Sequence, residues 1–170
     1  MSPLENVYIS PLELCNLSCL YCYTKNPKTI LSNEQILDFI NNYQQITKLK
    51  SIIFCGGEVF TLPNFTDLVN KLIDQNIFIT IITNGTIDKL DEIKSPQNCQ
   101  LIVSFDGPQK IHDHNRGKGN FAISKKFVKK ALKLGFRVEI FYLITKDSYP
   151  HFKTFRLYDL PITYLTDRLG

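Results

Sequence analysis

Apolar segments rich in β-branched and aromatic residues recur along the chain and alternate with segments of helical periodicity. The segments that predict strands are Val7–Ser10, Ser51–Cys55, Phe78–Thr83, Gln100–Phe105, Arg137–Ile144 and Ile162–Leu165. Most of them are almost continuously apolar, which is typical of parallel strands buried on both faces. This order of elements predicts an α/β fold with a parallel sheet and right-handed crossover connections.

The segments between the predicted strands show the spacing of amphipathic helices. Ser32 and Gln35 have the spacing of a capping box and predict the start of the first helix. Gly135 lies where a glycine is expected after the end of the fourth helix. The apolar positions are, in chain order, Ile36, Ile40, Tyr43 and Ile46; Phe65, Leu68, Val69, Leu72 and Ile73; Ile87, Leu90 and Ile93; and Phe127, Val128, Ala131 and Leu132. A weaker pattern covers Tyr149–Tyr158.

The chain length limits how far such a sheet can close. The sequence has 170 residues, and six strand–helix units of about 28 residues each are close to the roughly 30 residues of one such element. A closed eight-stranded barrel usually needs about 250 residues. The sequence therefore predicts an open, partial (β/α)6 TIM-like barrel with parallel strands, which forms a single domain over residues 1–170.

Four unusual segments lie at or after the ends of the first four predicted strands. They are Cys15–Cys22, Gly56-Gly57-Glu58, Thr83-Asn84-Gly85-Thr86 and Ser104-Phe105-Asp106-Gly107-Pro108. Functional residues of parallel α/β sheets gather at the carboxyl ends of the strands. We therefore expect these four segments to meet at one edge of the sheet.

Composition excludes several classes of function. A net charge of +4 is too small to indicate nucleic-acid binding. The N-terminal residues lack a basic region followed by an apolar run, and no apolar stretch approaches the about 20 residues of a membrane span. We therefore expect a cytoplasmic protein without membrane contact. Reduced thiols are expected there, so the five cysteines favour metal binding or catalysis over disulfides.

Three of the cysteines, Cys15, Cys19 and Cys22, lie within eight residues of each other. Three thiolates on one short loop can bind one metal centre. They do not complete a four-cysteine iron–sulfur cluster or a closed tetrahedral zinc site. The pattern leaves two alternatives: a fourth ligand comes from elsewhere, or one metal position stays open for chemistry.

The spacing Cys15-x3-Cys19-x2-Cys22, with the Gly-Gly-Glu segment after the second strand, resembles the radical S-adenosylmethionine (SAM) enzymes. The segments Thr-Asn-Gly-Thr, Ser-Phe-Asp-Gly-Pro and His112-Asp113-x2-Arg116-Gly117 strengthen the resemblance. They are similar to the core domain of the SPASM/twitch-type peptide and sulfatase maturases. The resemblance covers nearly the whole chain.

This resemblance implies a 4Fe-4S cluster bound by the three cysteines, with one iron left for SAM. In the family, reductive cleavage of SAM gives a 5′-deoxyadenosyl radical that abstracts hydrogen from a substrate. The branch implies a peptide or protein substrate and a small electron donor, flavodoxin or ferredoxin. The protein supplies position and a dry cavity, and the sequence identifies no catalytic acid or base.

The resemblance also implies a set of residues around SAM. They are Tyr21, Gly56, Gly57, Glu58, Asn84, Ser104, Asp106, Arg116 and Leu143. The two glycines allow close approach of the backbone, and the backbone of this strand end and the Glu58 carboxylate are expected to hold the SAM ammonium. Tyr21 is expected near the adenine. Arg116 is expected to pair with the SAM carboxylate through a charge-assisted contact.

The remaining members of the set come from later strand ends. Asn84, Ser104 and Asp106 are expected to bond the ribose or carboxylate of SAM, and Leu143 is expected to border the adenine pocket. The chain departs from the family in one position, because Val59 stands where proline commonly follows Gly-Gly-Glu. This departure removes no contact group.

The other cysteines and the histidines are interpreted as structural. Cys55 and Cys99 are expected to be small buried residues, although Cys55 as a fourth ligand would close the open iron. His112 and His114 flank Asp113 in what is expected to be a loop, where they serve in capping or hydrogen bonding.

Two alternatives to peptide modification stay open. One is an activase that installs a glycyl radical on a partner protein. The other is a non-catalytic iron–sulfur or zinc module for electron transfer or assembly. The sequence has no cysteine after Cys99 and so provides no ligands for the auxiliary clusters of the maturases. The open side of the barrel is expected to be covered by a peptide substrate, a partner chain or a dimer.

Overall fold

Five parallel strands form one open sheet in a computed structural model that describes residues 4–24, 30–155 and 157. The strands are β1 (Asn6–Ile9), β2 (Ser51–Phe54), β3 (Phe78–Thr83), β4 (Cys99–Phe105) and β5 (Arg137–Tyr142). Each strand pairs with the next one along the chain. The predicted parallel α/β sheet is therefore confirmed for these five strands.

The strand register aligns the carboxyl ends. Ile9 at the end of β1 is paired with Phe54 at the end of β2. Phe105 at the end of β4 is likewise paired with Tyr142 at the end of β5. The segments that follow the strands consequently begin at one edge of the sheet, as the sequence predicts.

Four α-helices lie between the strands in the part of the chain that the structure describes. They are α1 (Asn33–Tyr43), α2 (Phe65–Asp74), α3 (Gln109–Arg116) and α4 (Asn120–Lys133). The predicted capping box is present at the start of α1, where Ser32 Oγ accepts from Gln35 N–H and Gln35 Oε1 accepts from Ser32 N–H. Gly135 follows α4 with a φ of 90°. Its N–H donates to Leu132 O, and Phe136 N–H donates to Ala131 O, which is the Schellman arrangement.

The two faces of the sheet are buried to different degrees. Along β2, Ile52 and Phe54 are fully buried, whereas Ser51 and Ile53 are only half-buried. The fully buried face belongs to the main core, which also includes Leu68 of α2 and Val128 of α4. The more open face leads to the cavity described below. The helices therefore stabilise one face and leave the other for ligands.

Three predictions of local structure differ from what is found. The segment 109–116, expected as a loop, is helix α3. The helix expected around Ile87–Ile93 is reduced to one 3-10 turn, Leu90–Glu92. The pattern over Tyr149–Tyr158 contains the 3-10 turn Tyr149–His151. The sixth predicted strand, Ile162–Leu165, lies outside the described residues.

No helix among the described residues has both the length and the apolar character that crossing a membrane requires.

Candidate functional site

A cavity of about 550 Å³ opens at the carboxyl edge of the sheet. Its volume lies within the range typical of small-molecule sites. The residues that line it come from all five strand ends: Tyr8, Cys15, Cys19, Tyr21, Cys22, Tyr23, Thr24, Cys55, Gly56, Gly57, Ile82, Thr83, Asn84, Ser104, Arg116, Phe141 and Leu143. Most of the residues predicted around SAM are therefore brought together at one place.

All three clustered cysteines line this cavity. Cys15 and Cys19 are half-buried and Cys22 is exposed. Burial raises the pKa of the Cys15 and Cys19 thiols, while the nearby Arg116 guanidinium opposes this shift in the pKa of Cys19. Among the described residues, no three ligating side chains surround a point closely enough to hold one metal ion. A polynuclear cluster binds its protein ligands at separate irons, so it does not require such a point.

The segment after β2 fixes one side of the cysteine loop, which comprises residues 12–22. Gly57 N–H donates to Leu12 O, and Glu58 N–H donates to Leu14 O, both at 2.9 Å. A Cβ atom at Gly56 would lie 2.2 Å from Leu12 O, and one at Gly57 would lie 2.0 Å from Leu14 O. Only glycine permits this approach, so the Gly-Gly pair is required by the packing of the cysteine loop as well as by any ligand.

The Glu58 side chain points into the protein and not into the cavity. It is fully buried, and its carboxylate accepts from Thr83 Oγ1 at 2.9 and 3.0 Å, from Asn84 N–H at 2.8 Å and from Phe60 N–H at 3.2 Å. Burial raises the pKa of Glu58, and these hydrogen bonds oppose the shift. The structure thus gives this carboxylate a role different from the predicted contact with a SAM ammonium: it joins the segments that follow β2 and β3.

The segment after β3 holds the cysteine loop through two side-chain amides. Asn84 Nδ2 donates to Asn16 Oδ1 at 3.0 Å, and Asn16 Nδ2 donates to Thr86 Oγ1 at 2.8 Å. The sequence patterns did not identify Asn16 and gave no separate role to Thr86. Asn16 is adjacent to a cysteine but has no motif of its own, so only the fold reveals the contact.

The segment after β4 holds the other end of the cysteine loop through the buried side chain of Asp106. Asp106 is fully buried and does not line the cavity. Its carboxylate accepts from Tyr21 Oη at 2.5 Å and from Arg116 Nε at 2.9 Å. The Arg116 guanidinium also lies 5.7 Å from the centre of the Tyr21 ring. Asp106, predicted as a contact of SAM, is positioned instead to orient two residues that reach the cavity.

The other predicted cavity residues have simpler surroundings. Ser104 and Leu143 both line the cavity, and Leu143 N–H donates to Phe105 O at 3.1 Å, which continues the β5 pairing by one residue. The expectation for Cys99 is confirmed, because it is buried. The expectation for Cys55 is wrong, because Cys55 is half-buried and lines the cavity. Strand alternation places its side chain on the open face of the sheet.

His112 is a structural residue, as the sequence predicts, although it lies in a helix. It is fully buried and packs against the rings of Phe105 and Phe121. Its Nδ1 accepts from Asp106 N–H at 3.4 Å. Burial and the Arg116 charge lower the pKa of His112 to about 4. His112 is therefore neutral at physiological pH, whereas His114 is exposed.

Comparison with known proteins identifies the family. Residues 9–154 match the radical SAM superfamily. Since this match covers most of the chain, the protein belongs to the radical SAM superfamily and is an enzyme of that class. The family uses a 4Fe-4S cluster and SAM.

Individual relatives include a sulfatase-maturating enzyme and a bacteriocin biosynthesis protein. The serine-type anaerobic sulfatase-maturating enzyme of Bacteroides thetaiotaomicron is 33% identical over 138 residues, which are 68% of this chain and 33% of the relative. The antilisterial bacteriocin subtilosin biosynthesis protein AlbA of Bacillus subtilis is 27% identical over 124 residues, which are 68% of this chain and 28% of AlbA. The chain thus spans about one third of the length of these curated relatives.

A solved structure shares the fold. Native anSMEcpe with bound AdoMet and the Cp18Cys peptide matches 94% of this chain and 50% of that chain, with a TM-score of 0.75 and 23% identity. The similarity supports the partial-barrel assignment, since structural neighbours of this class are partial TIM barrels.

Proposed function

We propose that this radical SAM enzyme binds a 4Fe-4S cluster through Cys15, Cys19 and Cys22 and modifies a peptide or protein. The observation that carries the proposal is the meeting of the three thiols, the Gly56-Gly57 backbone and the Arg116 guanidinium on one cavity. When bound, the cluster and SAM together supply a 5′-deoxyadenosyl radical that abstracts hydrogen from the substrate.

The protein's own groups have separate roles in this proposal. The thiolates bind the cluster, and the backbone of Gly56 and Gly57 lies close to the ligand. Arg116 supplies a positive charge for a carboxylate at the cavity wall, because its Nε is already bound to Asp106 and the guanidinium still borders the cavity. Ser104 and Leu143 provide a polar and an apolar contact on the strands opposite the cysteine loop.

The proposed substrate is a peptide or a protein segment. Several of the relatives are named as maturation proteins, among them the sulfatase-maturating enzyme, and one solved neighbour contains a peptide. The rim of the cavity has exposed aromatic side chains, since Tyr23 and Phe141 are 81% and 54% exposed. Aromatic groups that border a cavity suit apolar contacts with a partner polypeptide. A flavodoxin or ferredoxin is the proposed electron donor.

Anaerobic reconstitution with iron and sulfide tests the proposal. After addition of SAM and a reductant, we expect 5′-deoxyadenosine from the wild-type protein and none from Cys19→Ala. Cys99→Ala is the matched control, because Cys99 is buried in the core and away from the cavity, and it should retain product formation. A cluster whose spectrum does not respond to SAM would contradict the proposal and favour a non-catalytic iron–sulfur module.

The role of Cys55 needs a separate variant. If Cys55 were a fourth cluster ligand, Cys55→Ala would change the spectrum of the cluster before SAM is added. We expect an unchanged spectrum, since Cys55 lies on a different loop from the three cysteines and contacts Tyr8. Mass spectrometry of candidate peptides, compared with radical formation on a large partner protein, then distinguishes a maturase from a glycyl-radical activase.

A further inference from the structure

The side-chain amide of Asn84 has no hydrogen-bonding capacity left for a ligand. Its Oδ1 accepts from Thr86 N–H at 2.8 Å and from Thr86 Oγ1 at 2.6 Å. Its Nδ2 donates to Asn16 Oδ1 at 3.0 Å and to Cys15 Sγ at 3.7 Å. An amide has two N–H donors and two acceptor lone pairs, so all four are used within the protein.

The hydrogen bonds also fix which way the amide faces. The backbone N–H of Thr86 can only donate, so the Asn84 atom opposite it must be the oxygen. The nitrogen is then the atom that faces Cys15 Sγ. Asn84 N–H donates to the Glu58 carboxylate, and Asn84 O accepts from Ser124 Oγ, both at 2.8 Å. These two backbone contacts hold Asn84 rigidly from both sides.

The sulfur of Cys15 receives a second donor from its own loop. Leu17 N–H donates to Cys15 Sγ at 3.4 Å. Two N–H groups from different segments thus converge on this sulfur. Hydrogen bonds to the sulfurs of an iron–sulfur cluster are one of the factors that set its reduction potential.

We propose that Asn84 is a positioning residue that raises the reduction potential of the cluster by donating a hydrogen bond to Cys15 Sγ, and that it is not a ligand of SAM. This inference rests on the proposed function, because it requires Cys15 to bind the cluster. Reduction adds an electron and makes the cluster more negative. An N–H donor on a ligating sulfur stabilises the reduced state more than the oxidised state, so its loss lowers the potential.

Two variants of Asn84 test the donor. Asn84→Asp keeps the shape and the oxygen that accepts from Thr86 but replaces the donor with an acceptor. Asn84→Ala removes the donor without adding charge. In a redox titration without SAM, followed by electron paramagnetic resonance, we expect at least a tenfold lower ratio of reduced to oxidised cluster at fixed potential for Asn84→Asp. Tenfold corresponds to about 59 mV for one electron, and Asn84→Ala should show a smaller shift of the same sign.

Thr86→Val is the matched control. It removes a hydroxyl that donates to Asn84 Oδ1 and accepts from Asn16 but leaves the donor to Cys15 in place. We expect its ratio of reduced to oxidised cluster to stay within about twofold of wild type. The inference would be overturned if the clusters of both Asn84 variants had the reduction potential of the wild type at equal iron content. So would a large loss of SAM affinity without a change of potential, because that result identifies Asn84 as a SAM ligand.

A measurement on the cluster-free protein separates this inference from the proposed function. Iodoacetamide reacts with the thiolate of cysteine, and a lost N–H donor together with a new carboxylate disfavours that thiolate. Asn84→Asp should therefore slow alkylation of Cys15 several-fold, as measured by mass spectrometry of the modified peptide, with little effect on Cys99. If the wild-type chain binds no cluster, the proposed function fails, and this rate still decides whether Asn84 contacts Cys15. An unchanged rate contradicts the contact.

Discussion

The Tyr21 hydroxyl donates to Asp106 Oδ2 at 2.5 Å and thereby ties the cysteine loop to the end of β4. Tyr21 lies between Cys19 and Cys22, so the contact acts directly on the segment that carries two thiols. Leu20 N–H adds a backbone hydrogen bond to Asn115 O at 2.9 Å. Hydrogen bonds from the protein's own groups therefore hold the loop in place.

Removal of the Tyr21 hydroxyl should destabilise the protein. Tyr21→Phe keeps the ring under the Arg116 guanidinium but leaves one oxygen of the buried Asp106 carboxylate without its donor. We expect a loss of about 1–3 kcal/mol in the free energy of unfolding, measured by urea denaturation. Tyr23→Phe is the control, since Tyr23 is 81% exposed, and it should change stability by less than about 0.5 kcal/mol. Equal effects of the two variants would show that the contact with Asp106 is not important for stability.

Arg116→Lys should weaken SAM binding although the charge is kept. Lysine lacks the planar group that binds Asp106 through Nε and still borders the cavity. Loss of a charge-assisted contact costs about 1.5–3 kcal/mol, so we expect about a tenfold to hundredfold rise in Kd, measured by equilibrium dialysis of the reconstituted protein. Arg137→Lys, the same change at the start of β5, should leave the Kd unaltered. A wild-type Kd for Arg116→Lys would refute the proposed carboxylate contact.

The Gly57 position should not tolerate any side chain. A Cβ there would lie 2.0 Å from Leu14 O and 2.5 Å from Glu13 O, so Gly57→Ala has to displace the cysteine loop. We expect a loss of about 3 kcal/mol or more and a lower iron content after reconstitution. Gly135→Ala tests backbone strain alone, because its φ is 90° and a Cβ there meets nothing within 4 Å. It should cost about 1–2 kcal/mol and leave the iron content unchanged.

The sequence was sufficient to predict the elements that follow simple periodicity. β3 begins and ends where the apolar run predicts, and the caps at Ser32 and Gly135 mark the ends of their helices. Helix α3 was missed because its segment is mostly polar and its fully buried side chain is His112 instead of an aliphatic residue. A pattern based on hydrophobic periodicity does not detect such a helix.

The sequence predicted most of the residues that gather around the cavity, but it did not predict the directions in which their side chains point. The thiols and the glycines lie on the cavity as expected. Glu58 and Asp106, by contrast, point into the interior and are fully buried. Both residues lie in loops, where no alternation rule fixes the direction of a side chain. Which neighbour satisfies a buried carboxylate depends on the tertiary fold, so sequence alone could not reveal it.

Acid should destabilise the protein through His112, because the folded chain holds this imidazole neutral. Its pKa falls from 6.5 to about 4 on folding, so between these values the unfolded chain binds more protons than the folded one. Stability therefore rises with pH across this window, is fully present above about 6.5 and is lost as the pH falls towards 4. At about 1.4 kcal/mol per pKa unit the loss is at most about 3.5 kcal/mol.

The variant His112→Asn isolates this effect. Asparagine can place an oxygen where His112 Nδ1 accepts from Asp106 N–H, but it does not titrate. The free energy of unfolding of the wild type minus that of His112→Asn should decrease as the pH is lowered from 7 to 4, in urea titrations at each pH. Gln109→Ala, a change at an exposed position of the same helix that involves no titratable group, should give a nearly constant difference. A constant difference for His112→Asn as well would mean that the folded protein does not hold this imidazole neutral, and the source of acid sensitivity would then lie in other groups.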